Sequence, residues 1–132
     1  MSEVLSKQEL ASLRSQIEAR RGEVVADIHQ ELVQSDQEHY VDLADRVHDV
    51  GDESVADLLS DVDLAVVDRH LEELRDLEAA QLRLAMGSYG TCVDCGGHIE
   101  YRRLSAYPTA KRCVECQQRY EQSHASRQGP SL

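Results

Sequence analysis

Apolar positions recur at helical spacing over most of the chain. Ser6-Lys7-Gln8-Glu9 reads as a capping box, in which the Ser6 hydroxyl and the Glu9 carboxylate satisfy free amides at a helix start. Leu10, Leu13, Ile17, Val24, Ile28 and Leu32 then return every three, four or seven residues, and Tyr40, Leu43 and Val47 carry the same stripe onward. The pattern predicts helical character from Ser6 to about His48. Gly22 falls inside it, where glycine costs about 1 kcal/mol relative to alanine, so a kink or break is expected there if anywhere. Asp49-Val50-Gly51-Asp52-Glu53-Ser54 is the one clear turn signal between residues 23 and 86. Beyond it Val55, Leu59, Val62 and Val66, then Leu71, Leu74, Leu77 or Glu78, Leu82 and Ala85, form a second stripe whose phase drifts near residue 67. As one helix this arm would run roughly 48 Å to Gly87. The expected fold is mainly α: a long antiparallel coiled-coil hairpin on a small cysteine-bound base, closed by a short C-terminal helix.

All four cysteines lie in two Cys-x-x-Cys pairs, Cys92/Cys95 and Cys113/Cys116, with 17 residues between them. At this spacing four thiolates converge on one tetrahedral zinc ion, and a shell of four sulfurs leaves no open position for catalysis. Gly96 and Gly97 give the first knuckle its turn. A structural zinc contributes about 10 to 16 kcal/mol at neutral pH, more than this short segment gains by burial. Two disulfides, a thioredoxin-like redox pair and iron in the same sulfurs are competing readings, set back by the lack of a signal peptide and of a βαβ setting. His98 lies between the pairs and reads as a loop residue. His29, His39 and His48 read as solvated or flanking positions.

Composition fits helix seams rather than a thick core: the 132 residues include no Trp, no Phe and five Tyr. The net charge of −11 is uneven, with 8 Lys/Arg against 21 Asp/Glu in residues 1–87 and 6 against 4 in residues 88–132. So acidic a hairpin repels phosphates, which argues against sequence-specific DNA binding and favours a protein partner with a basic opening. A zinc-ribbon module gripping nucleic acid through Arg102, Arg103, Lys111 and Arg112, or a redox-responsive adaptor, are the alternatives. No nucleophile is paired with a base, and there is no phosphate loop, so no enzyme is expected. No apolar run approaches the ~20 residues that span a bilayer, and the expected location is the cytoplasm.

Asp49 and Asp52, followed by Glu53, Asp57 and Asp61, crowd the turn. Helix capping explains them, but acids at the far end of a stiff rod could also be delivered into a deep channel.

The finger Cys92-x2-Cys95-x3-Ile99-x3-Arg103-x4-Pro108-x4-Cys113-x2-Cys116, with Asp49-x-x-Asp52-x-Ser54 at the matching distance before it, resembles the DksA/TraR family of bacterial transcription regulators. The resemblance covers about residues 40–120. It implies one structural zinc and a monomer that enters the secondary channel of RNA polymerase, brings Asp49, Asp52 and Ser54 near the active centre, and alters initiation. Ser54 stands where the family has alanine. Arg69 matches a position implicated in contact with the channel rim, and Arg103 one that touches the enzyme's other large subunit. The family member that shares guanosine tetraphosphate with polymerase has basic residues at positions matching Asp76, Tyr107 and Gln117, so alarmone synergy is expected to be weak or absent. The implied organisation is an N-terminal helical segment packing on the base (1–33), the hairpin (34–87, tip 48–54), the finger (88–120) and a helix end with tail (121–132).

Overall fold

The computed structural model describes residues 4–49 and 54–128, with side chains described to residue 124. Among the described residues six helices follow in order: α1 (Lys7–Val33), α2 (Glu38–Asp49), α3 (Val55–Leu58), α4 (Ala65–Met86), α5 (Tyr101–Ala106) and α6 (Val114–Gln128). Among the described residues the only β pairing is a single antiparallel bridge between Thr91 and His98.

The capping box forms as expected: the Glu9 amide donates to Ser6 Oγ at 3.0 Å and the Ser6 amide to Glu9 Oε1 at 2.9 Å. α1 runs through Gly22 without a break. Its stripe of Leu13, Ile17, Val24, Ile28 and Leu32 is fully buried. α4 packs along it antiparallel and contributes Val67, Leu71, Leu74, Leu77 and Ala80. The drift near residue 67 is real, since Val66 is exposed and Val67 buried. Arg20 grips Glu73 with two hydrogen bonds (2.6 and 2.8 Å), and Arg21 reaches Glu78 at 2.8 Å. The first pair is exposed and contributes little free energy, but both mark the register of the seam.

Two expected continuities are corrected. The first helix ends at Val33 instead of reaching His48. The Ser35 hydroxyl donates to the Leu32 carbonyl at 2.7 Å and Asp36 adopts a left-handed φ of 64°, which together close α1. The second arm is also interrupted: α3 is a single turn, residues 59–64 are irregular, and α4 starts anew at Ala65. The arms of the antiparallel hairpin are therefore α1 and α4.

The intervening stretch folds back over them. α2 packs on α1, bringing the His48 ring to 5.9 Å from that of His29, while α3 packs on α4. Ser54, expected at a projecting tip, instead hydrogen-bonds Glu78 in the middle of α4. The driving force is burial. A straight two-helix seam leaves one flank wet, whereas folding back adds Tyr40, Ala44, Val47, Val55, Ala56, Leu59 and Val62 to one continuous core. Residues 50–53 of the expected tip, Asp52 among them, and the 129–132 tail lie outside the described residues.

Residues 1–33 were expected on the base. Gln16 Nε2 does donate to the Ser105 carbonyl at 2.9 Å, but most of α1 lies along α4. α6 begins at Val114, within the second cysteine pair, so the closing helix is longer than its polar sequence suggests.

A β-carbon at Gly22 would meet nothing within 4 Å and the backbone there is helical. Gly22→Ala is therefore expected to stabilise the protein by about 0.5–1 kcal/mol, read as a higher urea midpoint. A lower midpoint would show that α1 needs flexibility at this point.

Candidate functional site

α4 stops at Gly87, whose φ of 80° lets the Ser88 and Tyr89 amides turn back onto the Arg83 carbonyl. Tyr89 is buried and donates its hydroxyl to the Pro108 carbonyl at 2.7 Å, tying the entrance of the finger to its far side. Gly90 passes so close to the N-terminal segment that a β-carbon would sit 2.9 Å from Leu5 Cδ1. The first knuckle then closes through the Cys92 amide to the Gly97 carbonyl (2.8 Å) and the Gly96 amide to the Cys92 carbonyl (3.0 Å). The second opens α6, with the Gln117 amide on the Cys113 carbonyl. A bond from the Val93 amide to the Lys111 carbonyl (2.9 Å) holds the knuckles together.

The four Sγ atoms of Cys92, Cys95, Cys113 and Cys116 lie within 4.8 Å of one another, and those of Cys95 and Cys113 are 3.9 Å apart. Tetrahedral zinc with Zn–S bonds of about 2.3 Å requires sulfurs about 3.8 Å apart. The donor set also fits in its electrostatics. Burial pushes the Cys92 thiol up, but the amides of Cys95, Cys113 and Asp94 outweigh it and hold the thiol below its usual range. A hydrogen bond to Cys113, burial and the other sulfurs push Cys116 up. Crowded sulfurs of this kind ionise together only around a cation. The Gly97 amide, 3.4 Å from Cys95 Sγ, and Arg119 Nη2, 3.9 Å from Cys116 Sγ, are placed to support thiolates.

Around the sulfurs the finger has a small apolar core of its own, in which Ile99, Leu104 and Ala110 are buried. Leu104 comes from α5, a six-residue helix too short to show a period in sequence. Two of the basic residues of the finger are engaged within it. Arg112 donates to Asp94 at 2.7 Å and lies over the Tyr120 ring at 4.0 Å. Arg103 turns inward, donating Nε to the Arg112 carbonyl at 3.0 Å, with its guanidinium 5.6 Å from the Tyr107 ring centre. Arg103 and Arg112 of the Arg102, Arg103, Lys111 and Arg112 cluster are thus committed within the finger, while Arg102 and Lys111 stay exposed.

A groove of about 730 Å³ runs between α1, α4 and the Tyr107–Thr109 loop. Arg69, Asp76 and Tyr107, singled out separately in the sequence, all line it beside Ile17, Arg20 and Pro108. Burial pushes the Asp76 carboxyl up, against the pull of Lys111. Gln117 lies apart on α6, bonded to Glu121.

Asp49 is exposed at the end of α2. Ser54 caps α3, accepting the Asp57 amide at 3.0 Å, and donates its hydroxyl to Glu78 at 2.6 Å. Glu78 also takes the Val55 amide (3.0 Å), the Ala56 amide (3.4 Å) and Arg21. Burial would push its carboxyl up, but the hydrogen bonds from Ser54, Arg21 and Val55 prevail and hold it below the usual carboxylate range. This role was not foreseen, although a carboxylate on an apolar stripe was its signal.

Residues 87–122 match the family described as the prokaryotic dksA/traR C4-type zinc finger. The RNA polymerase-binding transcription factor DksA of Caulobacter vibrioides is 32% identical over 115 residues, covering 87% of this chain and 72% of that protein. The chain belongs to the DksA/TraR family. The protein of the same name from Escherichia coli K12 is 26% identical over 86% of this chain and 72% of its own length. Among solved structures, transcription factor DksA2 from Pseudomonas aeruginosa superimposes with a TM-score of 0.60 at 27% identity, covering 90% of this chain and 88% of that one. The DnaK suppressor protein of Agrobacterium tumefaciens gives 0.54 at 29%, covering 81% and 89%. As a family member with a C4 finger and converging sulfurs, the protein carries one structural zinc.

Chelation of that zinc, or Cys92→Ser, is expected to unfold residues 88–113 while the α1–α4 hairpin keeps most of its helical circular dichroism. Proteolysis should move to the finger, and metal analysis should return one zinc per chain. Loss of all helical signal on chelation would contradict this division.

Proposed function

We propose that the protein is a non-enzymatic regulator that binds RNA polymerase through the enzyme's secondary channel and modulates transcription initiation. The observation that carries this reading is the 32% identity, across 87% of the chain, with a protein named as an RNA polymerase-binding transcription factor. The acids at Asp49 and Asp52 act near the active centre, with Ser54 setting their presentation. Arg69 is exposed on the groove and meets the channel rim. Arg103, committed to the Arg112 carbonyl, acts by shaping the finger surface that meets the enzyme's other large subunit.

The strong acidity of residues 1–87 suits a basic channel and opposes duplex DNA. Where alarmone phosphates would need cations, the chain offers Asp76, Tyr107 and Gln117, so regulation proceeds with little or no guanosine tetraphosphate synergy. The protein acts as a monomer in the cytoplasm. Among the described residues no helix is long and apolar enough to cross a membrane.

The test is co-purification with core RNA polymerase, followed by transcription assays with Asp49→Asn and Asp52→Asn. Wild type should bind and change initiation, and the variants should bind but lose most of the effect. A chain that neither binds nor alters transcription ends the proposal, and fully active variants end the role of the acids.

A further inference from the structure

We infer that the compact form is an autoinhibited state of a hairpin that opens like a jackknife, with Glu78 as its latch and residues 34–37 and 59–64 as paired hinges. The inference rests on the polymerase reading above, because inhibition has meaning only if the acids near residue 49 must reach a partner.

The latch is concentrated in one side chain. Glu78 accepts from Ser54 Oγ and from the Val55 and Ala56 amides, so it caps α3 from across the bundle. It also keeps Arg21 at 2.8 Å, a partner on α1 that opening would not remove. Releasing α3 therefore leaves no orphaned charge, so opening gives up apolar contacts without also leaving a buried carboxylate unpaired.

The folded-back segment is already arranged as an extension of the hairpin. Along the α1–α4 seam Arg21 faces Glu78, and Glu31 faces His70 with oxygen and Nδ1 2.9 Å apart. Continuing outward by equal steps pairs Tyr40 with about residue 61. In the fold the Tyr40 hydroxyl accepts the Asp63 amide at 3.1 Å, and His39, Leu43 and Arg46 share a cleft with Leu58 and Val62. The outer half of the hairpin thus has the register of the inner half, but is turned back on it. On opening, α2 and residues 55–63 keep one another as partners.

The hinges carry local costs that straightening would remove. Asp36 holds a left-handed φ of 64°, and Leu64 starts α4 with no side-chain cap. Neither hinge contains proline or glycine, so nothing in the chain forbids helix through them. The stripe on the α4 side shifts phase between Val62 and Val67, which is where the second hinge lies.

The experiment uses the full zinc-loaded chain as wild type, Glu78→Ala and Asp36→Gly, with small-angle scattering of the free protein and affinity for core polymerase as separate readouts. Wild type should be compact. Glu78→Ala should lengthen by about 18 Å, the span of the 12 residues of α2, and bind polymerase about fivefold more tightly or better. Asp36→Gly relieves the hinge without opening it. It should stay compact, keep its helical signal and bind about fivefold more weakly, while the gain in affinity of Glu78→Ala has the sign that general loss of folding cannot produce. A wild type already extended, a Glu78→Ala that keeps its helical signal and stays compact, or an extended Glu78→Ala with no gain in affinity would each overturn the inference. If no form binds polymerase, the reading it rests on is lost and autoinhibition with it, while the scattering still stands for or against the hinge.

Discussion

The antiparallel seam between α1 and α4 is the constraint from which the rest of the molecule follows. Helices of this length, rich in charge and poor in aromatics, are marginal alone and become stable by burying one face. Leu13, Ile17, Val24, Ile28 and Leu32 meet Val67, Leu71, Leu74, Leu77 and Ala80, and the pairing also sets the direction in which α4 delivers the chain to the cysteines. The same seam leaves a flank that water covers poorly, and the chain uses residues 34–64 to cover it.

The base is stabilised by different means. Its apolar content is a few side chains, among them Ile99, Leu104 and Ala110, and its polar framework is a set of backbone bonds between the knuckles. Such a framework holds shape once closed but cannot offset the ordering of the loop, which is what the metal contributes. Arg103 and Arg112 belong to that framework, which is why the positive charge of the finger is less available than its composition suggests.

Much of this was legible in the sequence, and the part that was not has a physical reason. The capping box at Ser6, the stripe of α1, the glycine stop at residue 87 and the convergence of the cysteines all follow from local chemistry, and all are present. The breaks at 34–37 and 59–64 were missed because a 3.6-residue period reports only which face is buried. A helix that continues and one that stops, turns and packs on the same core show the same period. The signals that distinguish them are polar and weak: Ser35-Asp36 as a helix stop, and Glu78 on an apolar stripe. Nor does sequence spacing reveal that Arg69, Asp76 and Tyr107 share one groove, since Tyr107 reaches it through the fold of the finger.

That groove is built from two unlike materials. One wall is helix, with Ile17 and Arg20 from α1 and Arg69 and Asp76 from α4, and stands on hydrophobic packing. The other is Tyr107, Pro108 and Thr109, which lie inside the loop between Cys95 and Cys113, anchored by Tyr89 and Arg83. One wall of the cleft thus belongs to the loop that the four sulfurs bracket, and would be lost if that loop unfolds when the ion is removed. A partner that recognises the complete cleft would then sense the fold of the finger without touching the metal.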